Sequence, residues 1–227
     1  MADKEQLKKT AVKVLCCVEK VSSFASSINP LFGIVTSLVA VVRKGLVSEE
    51  DHAVANDFCE LHKKLESISE NNQKILRQIQ FNEVQENYGK YEQFMKHQYE
   101  AFNNMVGRIK IDPEDKDRHI NDFIDIYERD ESDNSLEVYY QSVMGIASVF
   151  GRPILEVYLK HCNSNHKDME HMCLHLTHLF HIGLIAFMAY TVVTENEKEV
   201  ERVKQKWSRQ IAEIQAKMEE TLSKCTN

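Results

Sequence analysis

The sequence predicts an all-α protein: an elongated bundle of long amphipathic helices with one or two strongly apolar helices at its centre. Three observations lead there. Glycine (7) and proline (3) are scarce among 227 residues, so few breakers interrupt the chain and its elements must be long. Apolar residues recur at spacings of three and four along most of the chain, the period of a helix with one buried face. Strand-like alternation is missing throughout. Apolar residues make up 43% and charged residues 28%, a globular balance that excludes wholesale disorder. Without a repeat, a low-complexity tract or a long linker, 1–227 reads as a single all-helical domain.

Leu7, Ala11, Val14, Val18, Val21, Ala25 and Ile28 form the first apolar stripe. Asn29-Pro30 interrupts it and opens a second helix, because Asn caps well and Pro suits the first helical position. This apolar helix, near 30–42, runs through Leu31, Phe32, Ile34, Val35, Leu38, Val39, Val41 and Val42, and Arg43-Lys44-Gly45 ends it. Ser48 followed by Glu49, Glu50 and Asp51 signals the next N-terminus. Phe58, Leu61, Leu65, Ile68, Asn72, Ile75 and Ile79 make one stripe, and Val84, Tyr88, Tyr91, Met95, Phe102, Met105 and Ile109 a second. The stripes are out of phase near Phe81–Glu83, which predicts a phase-shifted long helix or two helices on one axis.

Asp112-Pro113 is the next break, and Pro113 is expected to open an acidic helix with Ile120, Phe123, Ile124 and Tyr127 inward. Glu131–Ser135 reads as a loop. Leu136–Phe150 follows as an apolar helix stopped by Gly151-Arg152-Pro153, then Ile154–Cys162 as a short one. Asn163-Ser164-Asn165 breaks the chain before a helix over His166–Thr194, strongly apolar near 176–193. In the closing helix, Glu195–Cys225, Val200, Val203, Trp207, Ile211, Ile214, Met218, Leu222 and Cys225 share a stripe. Its spacing of eleven between Val200, Ile211 and Leu222 suits a long, nearly straight helix.

The net charge is −7, and the acidic segment 112–135 carries all of it, with ten acids against three bases between Asp112 and Asp133. Nucleic-acid binding has no support, since it needs a basic surface to displace counterions. A solvated face explains the segment, with a basic partner surface as the alternative. Six cysteines are spread over predicted helices in a chain that needs no staples, so they read as free thiols. The charged opening Met-Ala-Asp-Lys-Glu lacks the apolar region of a secretory signal. Reducing cytoplasm is the expected compartment.

Six of the ten histidines fall between His161 and His181, beside Cys162 and Cys173. His171, His175 and His178 share one helix face and are the candidates for a zinc or copper site. No CxxC pair accompanies them and HExxH is absent, so structural histidines are the weightier reading and no cofactor is expected. Glu49-x-x-His52 and Asp168-x-x-His171 imitate half a di-iron bundle, but one pair starts a helix and the other uses Asp, which favours chance. EF-hand, phosphate-loop and GxSxG patterns are missing, so no catalytic residue is assigned.

Ile28–Val42 and Leu179–Val193 each hold 15 residues without a formal charge, short of the roughly 20 that a spanning helix needs. Central bundle helices explain both. A membrane-inserting hairpin, as in α-helical pore formers, is the alternative, and Leu31, Leu38, Val42, Leu184, Ile185 and Phe187 are its insertion candidates.

Three blocks carry a family resemblance: MADKEQLKKTAVKVLCCVEKVSSFASSINPLFGIVTSLVAVVRKGLV, NYGKYEQFMKHQYEAFNNMV and HLTHLFHIGLIAFMAYTVVTE. They resemble the fish rapunzel proteins, and together with the overall length the likeness extends over essentially the whole chain. The resemblance implies a role in growth of bone and the fin skeleton. It brings no catalytic motif and no functional residue to carry over. The expected function is that of a non-enzymatic helical interaction protein with a protein partner, a second copy or a membrane surface being further candidates.

Overall fold

The computed structural model describes residues 82–146 and 151–226, with isolated positions upstream (Val39, Asn56, Lys63, Glu66, Ser67 and Glu70). Six helices follow in order: α1 (Asn82–Ile111), α2 (Lys116–Arg129), α3 (Asn134–Met144), α4 (Ile154–His161), α5 (His166–Thr194) and α6 (Glu197–Leu222). Among the described residues there is no strand, only an isolated bridge between Asn165 and Thr226. The first stripe, the apolar helix near 30–42 with Leu31, Leu38 and Val42, and the stripe from Phe58 to Ile79 lie outside the described residues. Val39 alone speaks for that apolar segment. It is helical and fully buried in the same core as the later helices.

The core is organised around α5, which packs against all five other helices, most extensively α1 and α6. Its buried set runs from Met169 to Thr191 and includes Leu176, Leu179, Phe180, Leu184, Ile185 and Met188. Each fully buried side chain of this size contributes about 1.5–3 kcal/mol. The α1 stripe read from the sequence meets it with Tyr88, Met95, Phe102, Met105 and Ile109, joined by Tyr99. The α6 stripe meets it with Val203, Trp207, Ile211, Ile214 and Met218. An aromatic ladder joins α1, α2 and α5: Phe102 and Phe123 lie 6.0 Å apart, Phe123 and Tyr127 6.0 Å, and Tyr127 stacks on Tyr190 at 4.4 Å.

Local chemistry sets most of the helix ends. Asn165 accepts a hydrogen bond from Asp168 N (3.0 Å) and starts α5 where the sequence predicts. Asn196 does the same for α6 through Glu199 N (3.1 Å), which moves its start from Glu195 to Glu197. Three other expectations change. The acidic helix begins at Lys116 rather than Pro113, because Asp112–Asp115 form a turn and Asp115 O accepts the first helical bond, from His119 N (3.1 Å). Its inner face is Phe123 and Tyr127 with Ile120 and Ile126 beside them, Ile126 taking the place expected for Ile124. The apolar helix α3 starts at Asn134 and stops at Met144, well before Gly151, because Gly145 takes the left-handed conformation (φ 68°) that ends a helix.

Glycine has a packing role at Gly183, where α5 crosses α1 and α3. A Cβ there would stand 2.7 Å from Leu136 Cδ2 and 3.0 Å from Met95 Sδ. Gly107, on α1, would meet nothing within 4 Å. The two sites therefore respond oppositely. Gly183→Val is expected to destabilise by about 1–3 kcal/mol through overpacking. Gly107→Ala is expected to stabilise by up to about 1 kcal/mol through helix propensity. Urea unfolding of both variants checks the pair; a neutral Gly183→Val would mean that the crossing is loose.

Candidate functional site

Within the apolar α1–α5 interface lies a polar seam. On α1, Tyr88, Glu92 and Lys96 follow one another at intervals of four and so share a face. On α5, His175, His178 and His181 follow one another at intervals of three and lie on neighbouring turns. Glu92 is the hub. Its carboxylate accepts from Lys96 one turn along and from His175 Nε2 across the interface at 3.3 Å. Tyr88 hydrogen-bonds Ser142 on α3, and Ser142 Oγ accepts from Ile154 N (3.2 Å) at the start of α4. The seam thus ties α1, α3, α4 and α5 together.

Burial alone would raise the Glu92 carboxyl, but the hydrogen bond and charge of His175, with the Lys96 ammonium, outweigh it and hold the group at about 2. The remaining rings are pushed the other way. Burial takes His178 down to about 3, helped by the neighbouring His175, His181 and Lys96 charges and opposed by Glu92. Burial takes His181 down to about 4, against a hydrogen bond to Thr177 O (2.8 Å). His178 Nδ1 has no partner. Two neutral imidazoles and one ionised carboxylate therefore share the bundle interior.

The three metal candidates do not converge. His171 is half-buried and donates through Nδ1 to Lys167 O (2.7 Å), His175 turns to Glu92, and His178 is enclosed in the core. Among the described residues no three His, Cys, Asp or Glu side chains gather to hold one metal ion. Of the insertion candidates, Leu184 and Ile185 are fully buried, and Phe187 is half-buried with its ring edge-on to Trp207 at 6.4 Å. Among the described residues α5 is the one helix long and apolar enough to cross a membrane by length and composition, with 83% of its apolar window buried. Glu92 and Lys96 escaped notice in the sequence, although Glu92 lies in line with Tyr88, Met95 and Tyr99. A charge inside an apolar stripe was the available signal.

Helices wrapped around one apolar member, with a polar seam sealed between them, define a helical-domain protein. Residues 47–227 match the cephalotoxin-like middle helical domain. The chain is also 34% identical over 223 residues to Protein rapunzel of Danio rerio, a match that covers 98% of this chain and 96% of the relative. It therefore belongs to the rapunzel-like family of cephalotoxin-like helical proteins. No solved structure matches it.

The seam makes stability depend on pH with a definite sign. His178 and His181 have folded values depressed below 6.5, so the unfolded chain binds protons that the folded protein refuses. Stability is full above about pH 6.5 and falls on acidification by about 1.4 kcal/mol per pH unit for each ring. Glu92, depressed from 4.5 to about 2, adds a further loss below 4.5. Urea midpoints measured from about pH 7 down to about pH 4.5 should decline steadily, and His178→Leu should remove about half of that slope. A flat profile would mean that the rings are not held neutral.

Proposed function

We propose that this chain is a non-enzymatic interaction protein of the cytoplasm that serves growth of bone and the fin skeleton through a protein partner. The observation that carries this reading is its likeness to Protein rapunzel along nearly the full length of both chains. The distribution of polar groups supports it. His175, His178, His181, Thr177 and Thr191 of α5 are spent inside the packing between helices. On α2, by contrast, Asp117, Asp125 and Glu128 stand on the exposed side. A basic protein surface is the partner chemistry that such a face fits.

Membrane insertion is the second reading, and the length and apolar composition of α5 favour it. Against it, release of α5 would strip contacts from the five helices packed on it and leave the ionised Glu92 without His175. After expression in cells and an alkaline carbonate wash, the chain is expected in the soluble fraction; retention in the washed membranes would overturn the interaction reading in favour of insertion. Replacing rapunzel in Danio rerio by this chain should leave bone and fin-ray growth unchanged. Changing Asp117, Asp122 and Asp125 together to Asn should impair that growth while the purified variant keeps its helicity and Tm. Normal growth with the neutralised face would remove α2 as the docking surface.

A further inference from the structure

The end of the chain returns to the turn before α5. Thr226 N donates to Ser164 O (2.8 Å), His166 N donates to Thr226 O (3.2 Å), and Thr226 Oγ1 also reaches Ser164 O (3.5 Å). These bonds make the parallel bridge between Asn165 and Thr226. They also bring together two cysteines far apart in sequence. Cys162 ends α4 just before the turn, and Cys225 immediately precedes Thr226. Both thiols are free and both pack on the core, Cys162 buried and Cys225 half-buried. The Cys162 thiol donates to Leu159 O (3.4 Å) and the Cys225 thiol to Thr221 O (3.7 Å), and the two side chains are also within hydrogen-bonding reach of each other. Cys173, fully buried on α5, is the third thiol of this neighbourhood.

We propose that Cys162 and Cys225 are a disulfide-forming pair, a clasp that a small-molecule disulfide closes and a thiol reopens. The more accessible Cys225 reacts first. Its thiolate attacks one sulfur of the oxidant, forms a mixed disulfide and expels the other half as a thiolate. The Cys162 thiolate then attacks Cys225 Sγ, the internal S–S bond forms, and the second half of the oxidant leaves. The two protons lost by the protein thiols go to the two expelled thiolates, so one small disulfide becomes two thiols. Burial raises both protein thiols above the ordinary range, so exchange runs through a small thiolate fraction and is slow near neutral pH. The bond would close a loop containing all of α5 and α6 and so restrict the unfolded chain.

The test uses the full chain, reduced, freed of reductant and incubated folded with oxidised glutathione. Free thiols are then blocked with N-ethylmaleimide and the digest is read by mass spectrometry. The expected result is a peptide carrying Cys162 joined to one carrying Cys225, two hydrogens lighter than their sum. The oxidised protein should also melt several degrees higher than the same sample with dithiothreitol, and Cys225→Ser should remove both effects. Separate glutathione or maleimide adducts on the two cysteines, a bond to Cys173 instead, or cross-linking only in urea would each overturn the pairing.

Discussion

The structure depends on one requirement, the covering of α5. A helix of 29 residues with mean hydropathy 1.7 in its apolar window cannot present a bare side to water. Two neighbours would bury a stripe, which is enough for an ordinary amphipathic helix. This one is apolar nearly all round, and five helices close on it from different sides. Their own stripes follow from that duty. α1 and α6 are long because they must run beside a long helix, and their polar outer faces keep the assembly hydrated. The crossing at Gly183 shows how close the approach is, since a single added carbon would touch both Leu136 and Met95.

Polar groups inside such a core carry a cost that the seam only partly offsets. Glu92 has two cationic or donor neighbours, and a buried charge with partners is tolerable where a lone one is not. The unpartnered atoms show where satisfaction stops: His178 Nδ1, Trp207 Nε1 and the Tyr127 hydroxyl are all buried. Trp207 and Tyr127 recover much through their rings, which meet Tyr140, Phe187, Phe123 and Tyr190 at aromatic distances. An apolar residue in each place would be easier to bury. What the polar seam adds is register: Glu92 can face His175 only at one axial offset of α1 against α5, whereas leucine against leucine would slide by a turn with little penalty.

Elements whose limits are set by their own residues were readable without coordinates. The bounds of α5 follow from Asn165 at one end and the polar Thr194-Glu195 at the other, and the α6 stripe follows from period alone. What depended on distant partners was not readable. The early stop of α3 at Gly145 competes with an apolar run that continues to Phe150, and periodicity cannot say which glycine is the cap. The histidine spacing put three rings on one face, but their partners come from α1, 83 residues away for His175 and Glu92, or from the helix's own carbonyls. Spacing states who could meet; it does not state what else is offered. The pairing of chain end with the α4–α5 turn leaves no periodic trace at all.

That last pairing bears on how the turns are held. Among the described residues, four that are not glycine lie in the left-handed region: Glu131 and Ser132 between α2 and α3, Asn163 and Ser164 between α4 and α5. Such residues cost about 1–2 kcal/mol each, and a glycine would have removed the cost locally. Here each turn is instead held from afar. Gln98 of α1, itself buried, directs its amide at the carbonyls of Tyr127, Asp130 and Ser132, which satisfies the end of α2 and pins the first turn. The carbonyl of Ser164 is taken by Thr226 of the chain end, which pins the second. Neither turn would keep its shape in an isolated fragment, because its holder belongs to another part of the chain. The helices that flank α5 are therefore positioned only when the bundle is assembled around it, and assembly, rather than any local signal, fixes the strained turns.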